Sequence, residues 1–290
     1  MSNRVLVIGG ANIDFIGKCE NDIKFGDSNI GCVNISFGGV GRNIAHNLKL
    51  LGLDVTFISA IGNDQFGSLL KQELIDLGVK VYTPNIENSS GFYLSIHEKD
   101  GKMVLGLCDQ RVTEYLTTSY LDSLDYVIDS FEYIFLDTNL SEDKLEYLLN
   151  KYQNKVFFLD TISTSKALKI KDLTNKIDYI KCNEIEAITL FGKDYLNKKT
   201  KNTIICTRGK KDIYLSSNNE SVTVPVKTEE GIVNETGAGD SFFAGFIYGV
   251  INGWTMNRSI NLAKECASAT LKVSGAVNPK LHELINKKEE

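Results

Sequence analysis

The run VLVIGGANID at residues 5–14 sets the fold. It opens on four consecutive large aliphatic residues with no polar alternation. A strand with that pattern is buried on both faces, as in a parallel sheet covered by helices on each side. Gly9 and Gly10 close the run, and Asn12 and Asp14 follow at once. Open α/β sheets present ligand-binding groups at this position, just beyond a strand's C-terminal end. Taken alone, Asp14 reads equally well as a solvated turn residue or as a carboxylate gripping paired hydroxyls.

Outward from this run the same grammar repeats. VTFISAIG (55–62), YIFLD (133–137), VFFLD (156–160), YIKCN (179–183) and TIICT (203–207) are further near-continuous apolar runs. Between and after them the helical period predicts helices at 40–51, 64–77, 118–130, 141–152, 184–191, 239–253 and 257–273. Strand–helix alternation of this kind predicts an α/β layered sheet with helices on both faces. Two stretches depart from it. Residues 12–37 have no helical period, and GFYLSIHEKDGKMVLGLC (91–108) reads as two strands joined around Asp100-Gly101, a hairpin signal. Both are expected to project as a small β-sheet over the main one. The tail LHELINKKEE (281–290) reads as a frayed, charged helix end.

At 290 residues and 42% hydrophobic content the chain can bury a full core. A net charge of −5 argues against nucleic-acid binding, whose affinity comes mainly from Lys and Arg neutralising phosphates. There is no apolar run long enough for a signal peptide or for a membrane span of about 18 residues, so a cytoplasmic globular protein is expected. The six cysteines (19, 32, 108, 182, 206 and 266) form no CxxC pair and have mostly apolar neighbours. Reduced, buried thiols are expected rather than disulfides or zinc ligands.

Two glycine-rich turns carry the chemistry. In NETGAGDSFFAGF (234–246), Gly237, Ala238 and Gly239 let backbone N–H groups approach an anion, and the following helix adds the positive end of its dipole. Asp240 then sits at the helix start, either as a plain N-cap or as a group acting on whatever the anion hole holds. In FGGVGRNIAHNLKLLG (37–52), Gly38, Gly39 and Gly41 precede a helix that carries Asn43 in its first turn. This is neither a Walker loop nor a GxGxxG dinucleotide turn. A tight, closely packed strand-to-helix turn is the plainer reading.

The order of the motifs is GGANID, GGVGRNIAHNL, NEIE (183–186), TRG (207–209) and NETGAGD. It resembles the ribokinase, or PfkB-type, family of sugar and nucleoside kinases from about residue 4 to 278. Within that family, VGRN at 40–43, LDTNL at 136–140 and the NETGAGD form are most similar to pseudouridine kinases. The resemblance implies a single three-layer ribokinase-like domain over 1–290. Its central sheet would be mostly parallel, with a small β-sheet lid from about 12–37 and 88–108 that doubles as a homodimer clasp. It implies ATP as phosphate donor, Mg2+, and a small sugar or nucleoside acceptor, most similar to pseudouridine. Asp240 then matches the catalytic base, and Gly237, Ala238 and Gly239 match the anion hole. Asn12, Asp14, Gly38, Gly39 and Asn43 fall on the acceptor side. Thr207, Gly209 and Asn278 fall on the nucleotide side, with Asn278 near the adenine. Asn183 and Glu186 match the pair that organises magnesium and phosphate through water.

These residue types suit phosphoryl transfer. Its loose transition state spreads charge over the transferred oxygens, where backbone donors stabilise it, and Asp240 need only accept the alcohol proton. Three departures from the family pattern matter. Asp212 stands where the last glycine of TxGxxG is common, which leaves donor preference open. Asn234 and Glu235 replace the Asp and Thr of cation-binding relatives, which puts potassium activation in doubt. Cys182 replaces a frequent proline and reads as a packing change. Other readings have less behind them. His46 has no accompanying serine or cysteine motif for a hydrolase triad, and Tyr82, Phe92 and Tyr93 read as strand core before they read as base-stacking residues. A non-catalytic sugar sensor on the same fold would have lost the base or the anion hole, and both are present. Within the family, ribokinase, fructokinase and adenosine or inosine kinase are the alternatives.

Overall fold

A computed structural model describes residues 3–197, 200–218, 220–227 and 229–286. The strands are β1 (Arg4–Ile8), β2 (Asn12–Cys19), β3 (Gly31–Gly38), β4 (Asp54–Ile58), β5 (Lys80–Tyr82), β6 (Gly91–His97), β7 (Met103–Asp109), β8 (Tyr133–Asp137), β9 (Val156–Asp160), β10 (Tyr179–Asn183), β11 (Thr203–Arg208), β12 (Lys211–Ser217) and β13 (Glu220–Val224). The helices are α1 (Val40–Leu50), α2 (Gln65–Asp76), α3 (Thr118–Ser123), α4 (Asp125–Ile128), α5 (Glu142–Lys151), α6 (Thr164–Ala167), α7 (Glu184–Phe191), α8 (Ala238–Ile251), α9 (Met256–Thr270) and α10 (Glu283–Asn286).

Nine strands form the large sheet in the order β13-β12-β11-β10-β9-β8-β1-β4-β5. All its pairs are parallel except β11/β12 and β12/β13. The continuous apolar runs have a direct explanation here. Val5 and Val7 of β1 enter one core layer with Phe243 and Phe246 of α8, while Leu6 and Ile8 enter the other with Leu145 and Leu148 of α5. With helices on both faces, Val5 to Ile8 are all fully buried. Strand order reverses between β1 and β8, the switch point at which such sheets open a crevice at their C-terminal edge.

The second sheet has four strands in the order β3-β2-β6-β7. Only three residues separate it from β1, because Gly9 to Ala11 carry the chain straight from one sheet into the other. The hairpin expected around Asp100-Gly101 joins β6 to β7, with Gly101 at φ +90°. Strand register sorts the side chains by face. Asp14, Ser36, Tyr93 and Cys108 share one face, and Phe15, Ile35, Leu94 and Leu107 share the other.

Several sequence expectations need adjustment. The strand expected at 55–62 ends at Ile58, where the backbone leaves the sheet. The helix expected at 118–130 is two short helices interrupted at Leu124, whose φ of −103° and ψ of 13° are not helical. The expectation of buried thiols holds for Cys19, Cys182, Cys206 and Cys266 and fails for Cys32 and Cys108, which are exposed on the outer strands β3 and β7. The charged tail begins as α10, and residues 287–290 of it lie outside the described residues. No helix among the described residues is long and apolar enough to cross a membrane.

Candidate active site

The site residues gather at the C-terminal edge of the large sheet, under the smaller one. Asp240 lies in the first turn of α8 and is almost fully buried. It is not the N-cap. Gly237 holds that position at φ +78°, and no side chain caps the helix. The left-handed conformation and the absence of a Cβ are both needed there, since a Cβ would run into the Ala276 carbonyl. The first-turn N–H groups of α8 therefore face the crevice with no side-chain acceptor, as an anion site requires.

Asp240 Oδ2 accepts a hydrogen bond from Asn43 Nδ2 at 2.8 Å. Burial raises the Asp240 carboxyl to about 7, against the lowering influence of the Lys181 charge. Lys181 of β10, its side chain 12% exposed, pairs with Asp160 Oδ2 at 2.9 Å. Burial alone would push its ammonium down, but Asp160 and Asp240 hold it well above the ordinary lysine value. A Cβ built on Gly239 would lie 3.0 Å from the Lys181 nitrogen, so the ammonium sits directly against the glycine turn. Asp137, at the end of β8, is fully buried and accepts the Gly10 and Asn139 N–H groups at 2.9 Å each. Burial raises its carboxyl as well.

On the other wall, Asn12 donates through Nδ2 to Asp14 Oδ1. Burial raises Asp14 to about 6, partly offset by the Asn12 hydrogen bond and the charge of Arg42. The solvated-turn reading of Asp14 does not describe this position. Gly38 lies against the Asp14 carboxylate, where a side chain would collide with it. Gly39, at φ +93°, packs on the Gly10 carbonyl, which a Cβ would approach to 2.6 Å. Glycine at these two positions thus brings α1, and Asn43 with it, against the β1–β2 junction.

Asn183 caps α7 in a reciprocal box. Its Oδ1 accepts the Glu186 N–H at 2.9 Å, while Glu186 Oε2 accepts the Asn183 N–H at 2.8 Å. Glu186 is buried and also accepts from Thr161 Oγ1 at 2.6 Å and from Asn183 Nδ2 at 2.7 Å. Thr207 is the register partner of Asn183 on β11, and Gly209 turns the β11–β12 hairpin at φ +61°. That hairpin is tight, and its Arg208 Nε donates to the Asp212 carbonyl, so Asp212 already belongs to β12. Asn278 is tied into its own loop, donating to the Ala269 carbonyl at 2.7 Å and accepting from the Lys280 N–H at 2.9 Å. The loop holding it packs on Gly237 through Ala276.

Acceptor-side residues, anion turn and base candidate thus meet through Asn43, Gly39 and Asp240. The Asn183–Glu186–Thr207 group joins them through Lys181, two residues before Asn183 on the same strand. Sequence reading missed Lys181, Asp160, Asp137 and Thr161. A signal was available in the runs YIFLD, VFFLD and YIKCN, where a polar group lies at or near the C-terminal end of a fully buried strand. Of the three aromatics, Phe92 packs with Phe15 and Phe66, Tyr82 lies on the core, and Tyr93 shares the Asp14 face.

Chemically, the edge offers a buried carboxylate with an affinity for protons near neutrality, backbone donors for an anion, and a fixed ammonium between them. Known proteins resemble the chain as a whole. Residues 2–283 match the family described as pfkB family carbohydrate kinase. Pseudouridine kinase of Escherichia coli (strain K12) is 33% identical over 294 residues, covering 96% of this chain and 93% of that one. A carbohydrate kinase from Agrobacterium tumefaciens superposes with a TM-score of 0.86 at 27% identity, covering 99% of this chain and 96% of the other. Ribokinase from Arabidopsis thaliana, solved in complex with ribose and ATP, shares the fold with a TM-score of 0.83 at 20% identity, over 98% of this chain and 99% of that one. With a buried carboxylate and an anion turn at the crevice, and with this match running almost end to end, the chain belongs to the pfkB family of carbohydrate kinases and is an ATP-dependent phosphotransferase.

Proposed function

We propose that the enzyme transfers the γ-phosphoryl group of ATP to the 5′-hydroxyl of a free nucleoside, with pseudouridine as its best acceptor. The observation that carries the chemistry is Asp240, buried beside Lys181 and the Gly237–Gly239 turn and fixed by Asn43. The pseudouridine assignment is supported by the 33% identity to the E. coli enzyme and by the polar Asp14 face of the smaller sheet, where Ser36, Tyr93 and Ser95 suit a base with hydrogen-bonding edges.

In this reading Asp14 grips the ribose 2′- and 3′-hydroxyls, because a carboxylate accepts two hydrogen bonds side by side. Asn12 and the glycines 38 and 39 shape the pocket around them. Asp240 accepts the 5′-hydroxyl proton as the bond to phosphorus forms, and a base with a pKa near 7 is well matched to that task. The first-turn N–H groups of α8 and the Lys181 ammonium stabilise the charge on the transferred oxygens. Thr207, Gly209 and the Asn278 loop line the nucleotide side.

Among the described residues no cluster of three or more His, Cys, Asp or Glu could hold a metal unaided. Glu186 already accepts three hydrogen bonds, so its carboxylate, with Asn183, fits a magnesium ion carried on the triphosphate and reached through water. When bound there, magnesium neutralises phosphate charge. Asn234 donates to the Ser274 carbonyl at 2.8 Å and accepts the Thr236 N–H at 3.0 Å, so its amide already joins the segments around the anion turn. That is a reason to expect turnover without potassium. The smaller sheet acts as the lid, and its apolar outer face pairs with that of a second copy.

The test is ADP release by purified protein with ATP and magnesium against pseudouridine, uridine, ribose, fructose and adenosine. Pseudouridine should give the highest kcat/KM. If ribose matched or exceeded it, the enzyme would be a ribokinase instead.

A further inference from the structure

Arg42 is an unusual residue to bury. It is only 4% exposed, yet it occupies the first turn of α1 beside the site. Burying a guanidinium is unfavourable unless its donors are matched. Here they are. Nη1 donates to the Phe37 carbonyl at 3.2 Å and to Asn43 Oδ1 at 3.0 Å, and Nη2 pairs with Glu73 of α2.

The bond to Asn43 has a consequence for Asp240. A carboxamide has a donor end and an acceptor end that are nearly the same shape. Facing a carboxylate, the NH2 end is favoured. Facing a protonated carboxyl, the oxygen end can accept the proton and hold it there. An unanchored Asn43 would therefore turn over as Asp240 titrates and stabilise the protonated form that cannot act as a base. With Arg42 in place, a turned amide would set two donors against each other.

We propose that Arg42 is a positioning residue: the Glu73–Arg42 ion pair, anchored on α2, locks the Asn43 amide so that only its NH2 end can face Asp240. This rests on the reading of Asp240 as the base. Other ionisable groups around Asp240 are Lys181 from β10, Asp160 from β9 and Asp137 from β8, none of which touches Arg42. His46, one turn further along α1, is lowered to about 3 by burial and by Arg42, so it stays neutral through the working range. Asp14 also feels the Arg42 charge, and the test has to separate the two carboxylates.

The experiment is the pH dependence of kcat/KM for wild type, Arg42→Met and Asn43→Ala, and for the double variant. Wild type should show an acid limb, and Asp240→Asn should abolish it. In Arg42→Met the limb should move up by about one pH unit, the size of one altered hydrogen bond to a charged group. Activity would then fall about tenfold at pH 6 and stay within about threefold of wild type at pH 9. In the Asn43→Ala background the Arg42 substitution should add no further shift. Arg42→Lys keeps the charge but cannot serve three acceptors as a fork, and should shift the limb the same way by less. An unmoved limb in both Arg42 variants, an equal loss at every pH, or a shift that persists without Asn43 would overturn the role. Persistence would assign the effect to Asp14. A wild-type profile with no limb that Asp240→Asn removes would instead overturn the base assignment, and Arg42's role with it.

Discussion

The two walls of the crevice are built on opposite principles. At the edge of the large sheet, Asp137, Asp160, Glu186 and Asp240 are buried and Lys181 nearly so, and each already has its partner. On the small sheet, both outer strands are open to solvent over most of their length, and only Asn12, Asp14 and a few neighbours are enclosed. One wall is preorganised and rigid, held by nine strands and two helical layers. The other has four strands and little core of its own. On the proposed roles this is a division of labour: the groups that meet developing charge are fixed in advance, while the acceptor is covered by a sheet whose outer strands stay open to solvent.

The largest effect should therefore come from the rigid wall. Asp240→Asn should lower kcat by about 10²–10⁴-fold, the range for removing a general base, with nucleotide affinity little changed. The same substitution should act on stability in the opposite sense. Burial raises the Asp240 carboxyl from 3.8 to about 7, so the folded chain keeps a proton that the unfolded chain releases. That contribution is complete below about pH 4 and is lost as pH rises towards 7. A non-titrating Asn escapes the loss. The melting temperature of Asp240→Asn, measured against wild type, should rise between pH 5 and pH 8. A constant difference across that range would show that the carboxylate is not strained by burial, and near-normal turnover would remove it from the mechanism.

Next in size is the acceptor wall. Asp14→Ala should lose roughly 2–4 kcal/mol of transition-state binding, from hydrogen bonds to a charged group at about 1.5–3 each and their non-additivity. Wild type should reject a 2′-deoxy acceptor to a similar degree, because the half-buried carboxylate is then left partly unpaired. Equal kcat/KM for ribo- and deoxy-acceptors would break the proposed contact.

The rigid wall was also the harder one to read. Asp240 and the glycines around it stand in one contiguous motif, and their roles follow from residues adjacent in sequence. Lys181 faces Asp160 and Asp240 only because β10 lies beside β9 and α8 begins against Lys181. Strand order carries that information, and no local pattern encodes it. Thr161 on Glu186 is hidden for the same reason, 25 positions apart in sequence. Periodicity, which gave nearly every strand and helix of the central layers, misread 118–130 as one helix because its apolar spacing continues through Leu124 while the backbone does not. The edge strands β12 and β13 went unseen because the β11–β12 hairpin turns tightly at Gly209 without the usual dipeptide.

A smaller effect is expected at the metal side. Glu186→Gln keeps the shape of the box with Asn183 but removes the charge. It should raise the magnesium needed for half-maximal rate several-fold while leaving acceptor KM nearly intact, since a neutral amide orients the waters of a divalent cation less strongly. A magnesium titration identical to wild type would reduce Glu186 to a helix cap.

The smallest catalytic effect should come from the outer face of the small sheet, although its physical consequence is large. Val33, Ile35, Leu105 and Leu107 share that face, and each is more than half exposed. Four large aliphatic residues on one flat sheet form an apolar surface of the kind that marks a contact between molecules. The opposite face of the same strands carries Asp14, Ser36, Tyr93 and Ser95, so the apolar face is not needed to hold the acceptor. A second copy covering it would stiffen the lid without touching the chemistry. Leu107→Lys on the edge strand β7 should therefore convert a dimer to a monomer by light scattering, with kcat lower by no more than about threefold and any larger change confined to acceptor KM. The lysine should not unfold the chain, because Leu107 packs against little of it. If wild type is already monomeric at micromolar concentration, the clasp is absent, and the acceptor wall must hold its geometry within one chain.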